Sequence, residues 1–151
     1  MAIRKLKKIT PVEHSKILEK LKELMERHEE VLFAFLYGSF VEGDFPYFCS
    51  DIDLAIYVDS QRVKEPAYVF EAQIEMEIYK ELFPIGLYLV SIEALVINHA
   101  PYQFQVSILK QPYLMVKENE EIFTDFIEEA SGRACAEGYI RRESLKEFLE
   151  T

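Results

Sequence analysis

The stretch that decides the fold is Leu36-Tyr37-Gly38-Ser39-Phe40-Val41-Glu42-Gly43, followed after a short loop by Ser50-Asp51-Ile52-Asp53-Leu54-Ala55-Ile56-Tyr57-Val58. The first part reads as the end of a strand, a Gly-Ser bend and a brief helical turn. The second reads as a strand that opens with two aspartates. Side chains alternate along a strand, so Asp51 and Asp53 are expected on one face. Ile52, Leu54, Ile56 and Val58 then fall on the other, toward a core.

Two carboxylates one pleat apart on an apolar strand repel each other and lose hydration. A divalent cation with oxygen ligands relieves both costs. Gly38 lets the backbone turn sharply and approach a ligand closely. Ser39 is expected at the start of a short helix, where free N–H groups and the helix dipole attract phosphate. A phosphate cradle beside a paired-carboxylate metal site points to metal-assisted phosphoryl or nucleotidyl transfer. The plain alternative is a strand-start turn with two solvated acids.

Working outward, 151 residues suit one domain with a substantial core. Asp and Glu number 27 against 17 Lys and Arg, a net charge of −10. Such a chain is poorly suited to gripping nucleic-acid backbones by charge, so no nucleic-acid partner is expected. It suits a mononucleotide that arrives with its metal, or a basic protein. No apolar run is long enough to cross a bilayer, and Met1–Lys8 lacks the apolar core of a signal peptide, so a cytoplasmic protein is expected. Cys49 and Cys135 read as two reduced thiols. His14, His28 and His99 lack the spacing of zinc ligands and read as helix-surface or loop residues.

Thr10-Pro11-Val12-Glu13 has the form of a capping box and predicts a helix through about Arg27. Val31–Tyr37 reads as a buried strand. Phe40–Gly43 is expected as one helical turn, and Asp44–Ser50 as a loop whose Phe45, Tyr47 and Phe48 pack on the core or meet a base or partner. Asp51–Val58 is the carboxylate strand, and Asp59–Pro66 is a polar connection. A helix is expected over Tyr68–Phe83, a third strand over Ile85–Ile92, a helical piece over Glu93–Asn98, a helix opened by Pro101, and a short strand over Tyr113–Val116. From about Glu120 to Glu150 the pattern is helical, with Gly132 and Gly138 expected to divide it. Ala130, Ala134 and Gly138 form a small-residue stripe that admits a close helix. Three occupants stand open: the first helix, a second copy in a homodimer, or another protein. Arg141 and Arg142 read as a solvated face, or as contacts to a partner or a phosphate.

Gly38-Ser39, eleven intervening residues and Asp51-Ile52-Asp53-Leu54 together resemble the signature of the minimal nucleotidyltransferases of the DNA polymerase β-like superfamily. The loop is one residue longer than the family's usual spacing, a change loops absorb. The resemblance is strongest over Leu32–Val58 and weaker to about Lys117. It implies an α/β (α+β) fold: a mixed, mostly antiparallel sheet with helices packed on it. Length and pattern predict one domain over residues 1–151, with 120–151 a helical C-terminal extension that no motif of the family covers. By the same resemblance Gly38 and Ser39 bind the triphosphate of ATP or another nucleoside triphosphate. Asp51 and Asp53 are the catalytic metal ligands for Mg²⁺. Many such proteins are antitoxins paired with a HEPN-domain ribonuclease toxin, and some attach AMP to a tyrosine of that toxin.

Two features depart from the pattern. The family's third carboxylate belongs on the next core strand, where Tyr88 or Ser91 stands in its expected place, with Glu93 at the strand end. Phe40-Val41-Glu42 follows the Gly-Ser bend where relatives often carry a basic residue. Three functions are therefore weighed: a protein adenylyltransferase antitoxin, a catalytically degenerate antitoxin that neutralises its partner by binding alone, and a small-molecule nucleotidyltransferase of the antibiotic-modifying kind.

Overall fold

Thr10 begins the first helix, α1 (Pro11–Arg27), as the local sequence requires. Its hydroxyl accepts from the Glu13 N–H at 3.1 Å, while the Glu13 carboxylate accepts from the Thr10 N–H at 3.3 Å. This reciprocal pair satisfies amides that the first helical turn leaves without partners. The computed structural model describes residues 10–38, 40, 51–85, 91–110, 113–117 and 119–150. After α1 come β1 (Val31–Tyr37), β2 (Asp51–Val58), α2 (Ala67–Leu82), a short 3₁₀ turn (Phe83–Ile85), β3 (Ser91–Val96), α3 (Tyr102–Leu109), β4 (Tyr113–Lys117) and α4 (Glu120–Glu150).

The strands lie in the order β3-β2-β1-β4. β1 is antiparallel to both β2 and β4, and β2 is parallel to β3. The sheet is thus mixed and mostly antiparallel, as expected. Strand alternation sends Leu36, Ile52, Leu54, Ile56 and Ala94 into one core with α1 and α2. It sends Phe33, Phe35 and Ala55 into a second core with Ile108 of α3 and Phe126 of α4. Phe33 anchors that second core, stacked on Tyr57 at 4.6 Å and edge-on to Phe123 and Phe126 at 5.2 and 5.0 Å. Gln105, buried there, donates to the Ile97 carbonyl at 2.7 Å, so its burial leaves no polar cost unmet.

Side chains of α2 hold the outer strand. Ile92 N–H donates to the Tyr79 hydroxyl at 3.0 Å, Ala94 N–H to Glu75 at 2.9 Å, and Val96 N–H to Glu71 at 2.8 Å. Four helical residues rise about 6 Å and two strand residues about 6.6 Å, so the two rows keep pace. This ladder fixes β3 beside β2.

Four expectations are corrected. The third strand, where it is described, runs Ser91–Val96, past the expected end at Ile92; Ile85 lies in the 3₁₀ turn, residues 86–90 of the expected strand, Tyr88 among them, lie outside the described residues, and Glu93–Asn98 is not helical. Pro84 and the 3₁₀ turn end α2, and among the described residues Ser91 pairs opposite Asp51. The tail is one helix, undivided at Gly132 and Gly138. A glycine inside a helix costs only about 1 kcal/mol relative to alanine, and packing on α3 offsets it. The small-residue stripe meets none of its three expected occupants. Ala130 and Ala134 are buried, and Gln103 of α3 donates to the Ala134 carbonyl at 2.7 Å, so the stripe packs on α3. Residues 41–50, with the expected turn, loop aromatics and Cys49, lie outside the described residues; Cys135 is a free, exposed thiol.

His28 ties the end of α1 to α2. Its Nε2 lies 2.6 Å from Glu77 and its Nδ1 lies 3.0 Å from Glu30. Burial pulls the imidazole pKa down, but hydrogen bonds to and charges on Glu77 and Glu30 outweigh it, and the net shift is upward from 6.5. Burial opposes ionisation of Glu30, yet its hydrogen bonds to His28 and to its own backbone leave it below 4.5.

The ladder predicts that Glu75→Ala, which strips the Ala94 N–H of its acceptor, costs about 1–3 kcal/mol in urea unfolding, while Glu75→Gln retains most of it. The histidine clamp gives a pH dependence. A raised His28 pKa contributes stability that is complete below 6.5 and lost as pH climbs through the folded value. A lowered Glu30 pKa contributes stability that is complete above 4.5 and lost as pH falls through its folded value. The stability difference between wild type and His28→Ala is therefore greatest between pH 4.5 and 6.5, and shrinks on either side in unfolding titrations.

Candidate active site at the Gly38 turn

Antiparallel pairing sets the end of β1 against the start of β2, with Tyr37 opposite Asp53. The next residue, Gly38, has φ +80°, a conformation that L side chains rarely adopt. A Cβ placed on Gly38 would collide with Oδ2 of Asp53 and lie 3.4 Å from its Cγ. Glycine is thus favoured by the backbone, and the Asp53 carboxylate fills the space that a Cβ would take. The expected meeting of the bend with the carboxylate strand is present at Gly38 and Asp53. Asp51 holds the first position of β2; its side chain, and Ser39 entirely, lie outside the described residues.

Parallel pairing places Glu93 of β3 level with Asp53 and Ser91 level with Asp51. Glu93 is therefore in the body of the strand, where the sequence reading had set it at a strand end. Ile92 and Ala94 turn into the first core, which leaves Glu93 on the Asp53 side of the sheet. Tyr37 registers both acids. Burial first, then the charges of Asp53 and Glu93, push its hydroxyl up to about 12. It therefore stays a neutral phenol at neutral pH, packed edge-on to Phe104 of α3 at 5.9 Å.

The far side of the bend is pinned by α1. Phe40 is fully buried, its ring 4.4 Å from the His14 ring. His14 Nε2 lies 3.0 Å from the Phe40 carbonyl, which can only accept, so the imidazole donates. Sequence reading left His14 as a surface or loop residue. The 26 positions that separate it from Phe40 carry no local signal of the contact.

The arrangement offers a glycine bend against which the Asp53 carboxylate packs, with Asp53 and Glu93 level on adjacent strands beside it. Oxygen donors so placed suit a hard divalent cation. Among the described residues, from which the Asp51 side chain is missing, no group of three His, Cys, Asp or Glu forms a metal cluster.

Residues 19–121, more than half of the chain, match the family described as polymerase beta, nucleotidyltransferase. The chain belongs to the polymerase β nucleotidyltransferase family. No curated protein matches it significantly. Its fold is similar to several solved structures. The MntA–HepT toxin–antitoxin structure matches with a TM-score of 0.62 at 10% identity, over 89% of this chain and 98% of the other. A tri-AMPylated Shewanella oneidensis HEPN toxin in complex with MNT antitoxin gives 0.63 at 11% identity, over 90% and 98%. A toxin–antitoxin structure with AMP-PNP gives 0.65 at 12% identity, over 87% and 98%.

The Gly38–Asp53 contact yields a double-mutant cycle. Gly38→Ala is expected to cost at least about 1 kcal/mol from backbone strain alone, with more from displacing the Asp53 carboxylate. In an Asp53→Ala background only the strain remains. Denaturant titration of the four proteins should therefore give a clearly smaller penalty for Gly38→Ala in that background.

Proposed function

We propose that this protein is a minimal nucleotidyltransferase antitoxin that moves AMP from Mg-ATP to a hydroxyl of a HEPN-domain partner in the cytoplasm. The observation that carries the reading is Glu93, level with Asp53 beside the Gly38 bend. It supplies a candidate for the third carboxylate whose apparent loss motivated the binding-only alternative. The kinship in fold to a complex of an AMPylated HEPN toxin adds the partner and the group transferred.

In this reading Asp51, Asp53 and Glu93 would hold magnesium, which would supply positive charge to neutralise the phosphates. Gly38, lacking a Cβ, leaves room for the Asp53 carboxylate beside the triphosphate, and Ser39 adds a hydroxyl donor. Tyr37, neutral beside them, brings no further negative charge to the nucleotide. The acceptor hydroxyl oxygen attacks the α-phosphorus, pyrophosphate leaves, and the hydroxyl proton passes to a carboxylate of the cluster. The net charge of −10 argues against a nucleic-acid acceptor, and no helix among the described residues is long and apolar enough to cross a membrane.

Incubating the protein with its HEPN partner, Mg²⁺ and ATP labelled at the α-phosphate tests this. Label should appear on the partner, and Asp53→Ala and Glu93→Gln should each slow transfer at least about 100-fold without loss of fold. A stable complex with no label on either chain would favour neutralisation by binding alone.

A further inference from the structure

The Gly38 bend is met by side chains on both flanks, and one of them belongs to a residue that the reaction leaves without a role. The β1–β2 ladder ends at Tyr37 opposite Asp53. At the described residues beyond it, side chains from other elements meet the backbone. Gly38 lies against the Asp53 carboxylate. Two residues on, the Phe40 carbonyl accepts from His14 Nε2 at 3.0 Å, across 26 positions of sequence. Ser39, the hydroxyl assigned to the triphosphate, stands between these two anchors in the chain.

Position 14 is where α1 departs from its own pattern. His14, Ile17, Leu21 and Leu24 recur at spacings of three, four and three, which puts them on one face of the helix. The last three are buried in the first core. An apolar side chain at position 14 would complete that face and would cover Phe40, whose ring is fully buried and lies 4.4 Å from the imidazole. Burying the ring fixes where Phe40 sits but not which way its carbonyl turns, because apolar contact has no direction. A hydrogen bond has one. The bond is part-buried, where a carbonyl stripped of its donor pays more than it would in open water. The donor also stands on a rigid element. α1 is capped at Thr10, the His14 N–H closes the first helical turn on the Thr10 carbonyl at 2.9 Å, and the next turns are seated on the core.

We propose that His14 is a positioning residue for the nucleotide: its hydrogen bond to the Phe40 carbonyl holds the Gly38 bend in the orientation that receives the triphosphate. The proposal rests on the assignment of the bend to nucleotide binding, and adds the residue that sets its pose. His14 acts through Phe40 and enters no bond-making step.

Three variants separate the donor from the ring. His14→Gln keeps an N–H donor and loses the ring, His14→Met matches it in length without a donor, and His14→Phe keeps a ring without a donor. Steady-state AMP transfer to the HEPN partner, calorimetric binding of Mg-ATP and urea unfolding are measured on each. His14→Met and His14→Phe should each lower kcat/KM for ATP and weaken Mg-ATP binding at least about 10-fold, since a small misplacement of a reacting group costs up to about 100-fold, while His14→Gln should stay within about 3-fold of wild type. KM for the partner should hold steady in all three. The losses should not track the unfolding midpoints, because His14→Phe retains the ring contact on which stability draws. Either donorless variant suffices if the other does not fold. His14→Phe with wild-type kinetics and affinity overturns the proposal, because packing on Phe40 would then be enough. So does His14→Gln impaired as deeply as His14→Met, and so does a KM for the partner that rises with that for ATP. A wild type that binds Mg-ATP without transferring AMP removes the transfer reading alone and leaves the affinities to decide. A wild type that binds no nucleotide takes the assignment of the bend and this proposal down together.

Discussion

Everything at the candidate site depends on β2 having unlike neighbours. Antiparallel pairing with β1 brings the end of one strand to the beginning of the next, so Tyr37 and Gly38 meet Asp53. Parallel pairing with β3 brings a residue from far along the chain to the same level, so Glu93 joins them. An antiparallel β3 could reach this level only with a different connection and register. The acids gathered there would repel one another without compensation, and a cation held among them removes that penalty.

Around this level the fold supplies rigidity from three directions. α1 grips the Phe40 carbonyl through His14 and begins with a full capping box. α2 fastens β3 from outside. α3 stands Phe104 against Tyr37. The bend itself is thereby held between a buried aromatic ring and a packed carboxylate, the sort of support that keeps a site in register.

Much of this was legible in the residues. The capping box at Thr10, the apolar run ending at Tyr37 and the alternation after Asp51 each dictate their element locally. So does Pro101, which opens α3. The errors came where local preference and global pairing disagree. Leu87–Ile92 is the more strand-like run taken alone, yet the described strand that pairs with β2 runs on to Val96, and its alternation is masked by the apolar residues before it. The consequence fell on chemistry, since moving the strand moves Glu93 from its end to its body. Gly132 and Gly138 look like breaks, but nothing lies within 4 Å of a Cβ at Gly132, and Gly138 faces Gln103 of α3, so their cost is only conformational. His14 was unreadable because its partner is fixed by tertiary structure alone.

The stitched margin of β3 carries a consequence for how this protein meets other chains. A strand whose outward amides are free invites a foreign strand to extend the sheet, in recognition or in aggregation. Here Tyr79, Glu75 and Glu71 already occupy those amides at Ile92, Ala94 and Val96. Backbone-to-backbone growth is closed on that side, and whatever approaches must be recognised through the side chains that α2 displays.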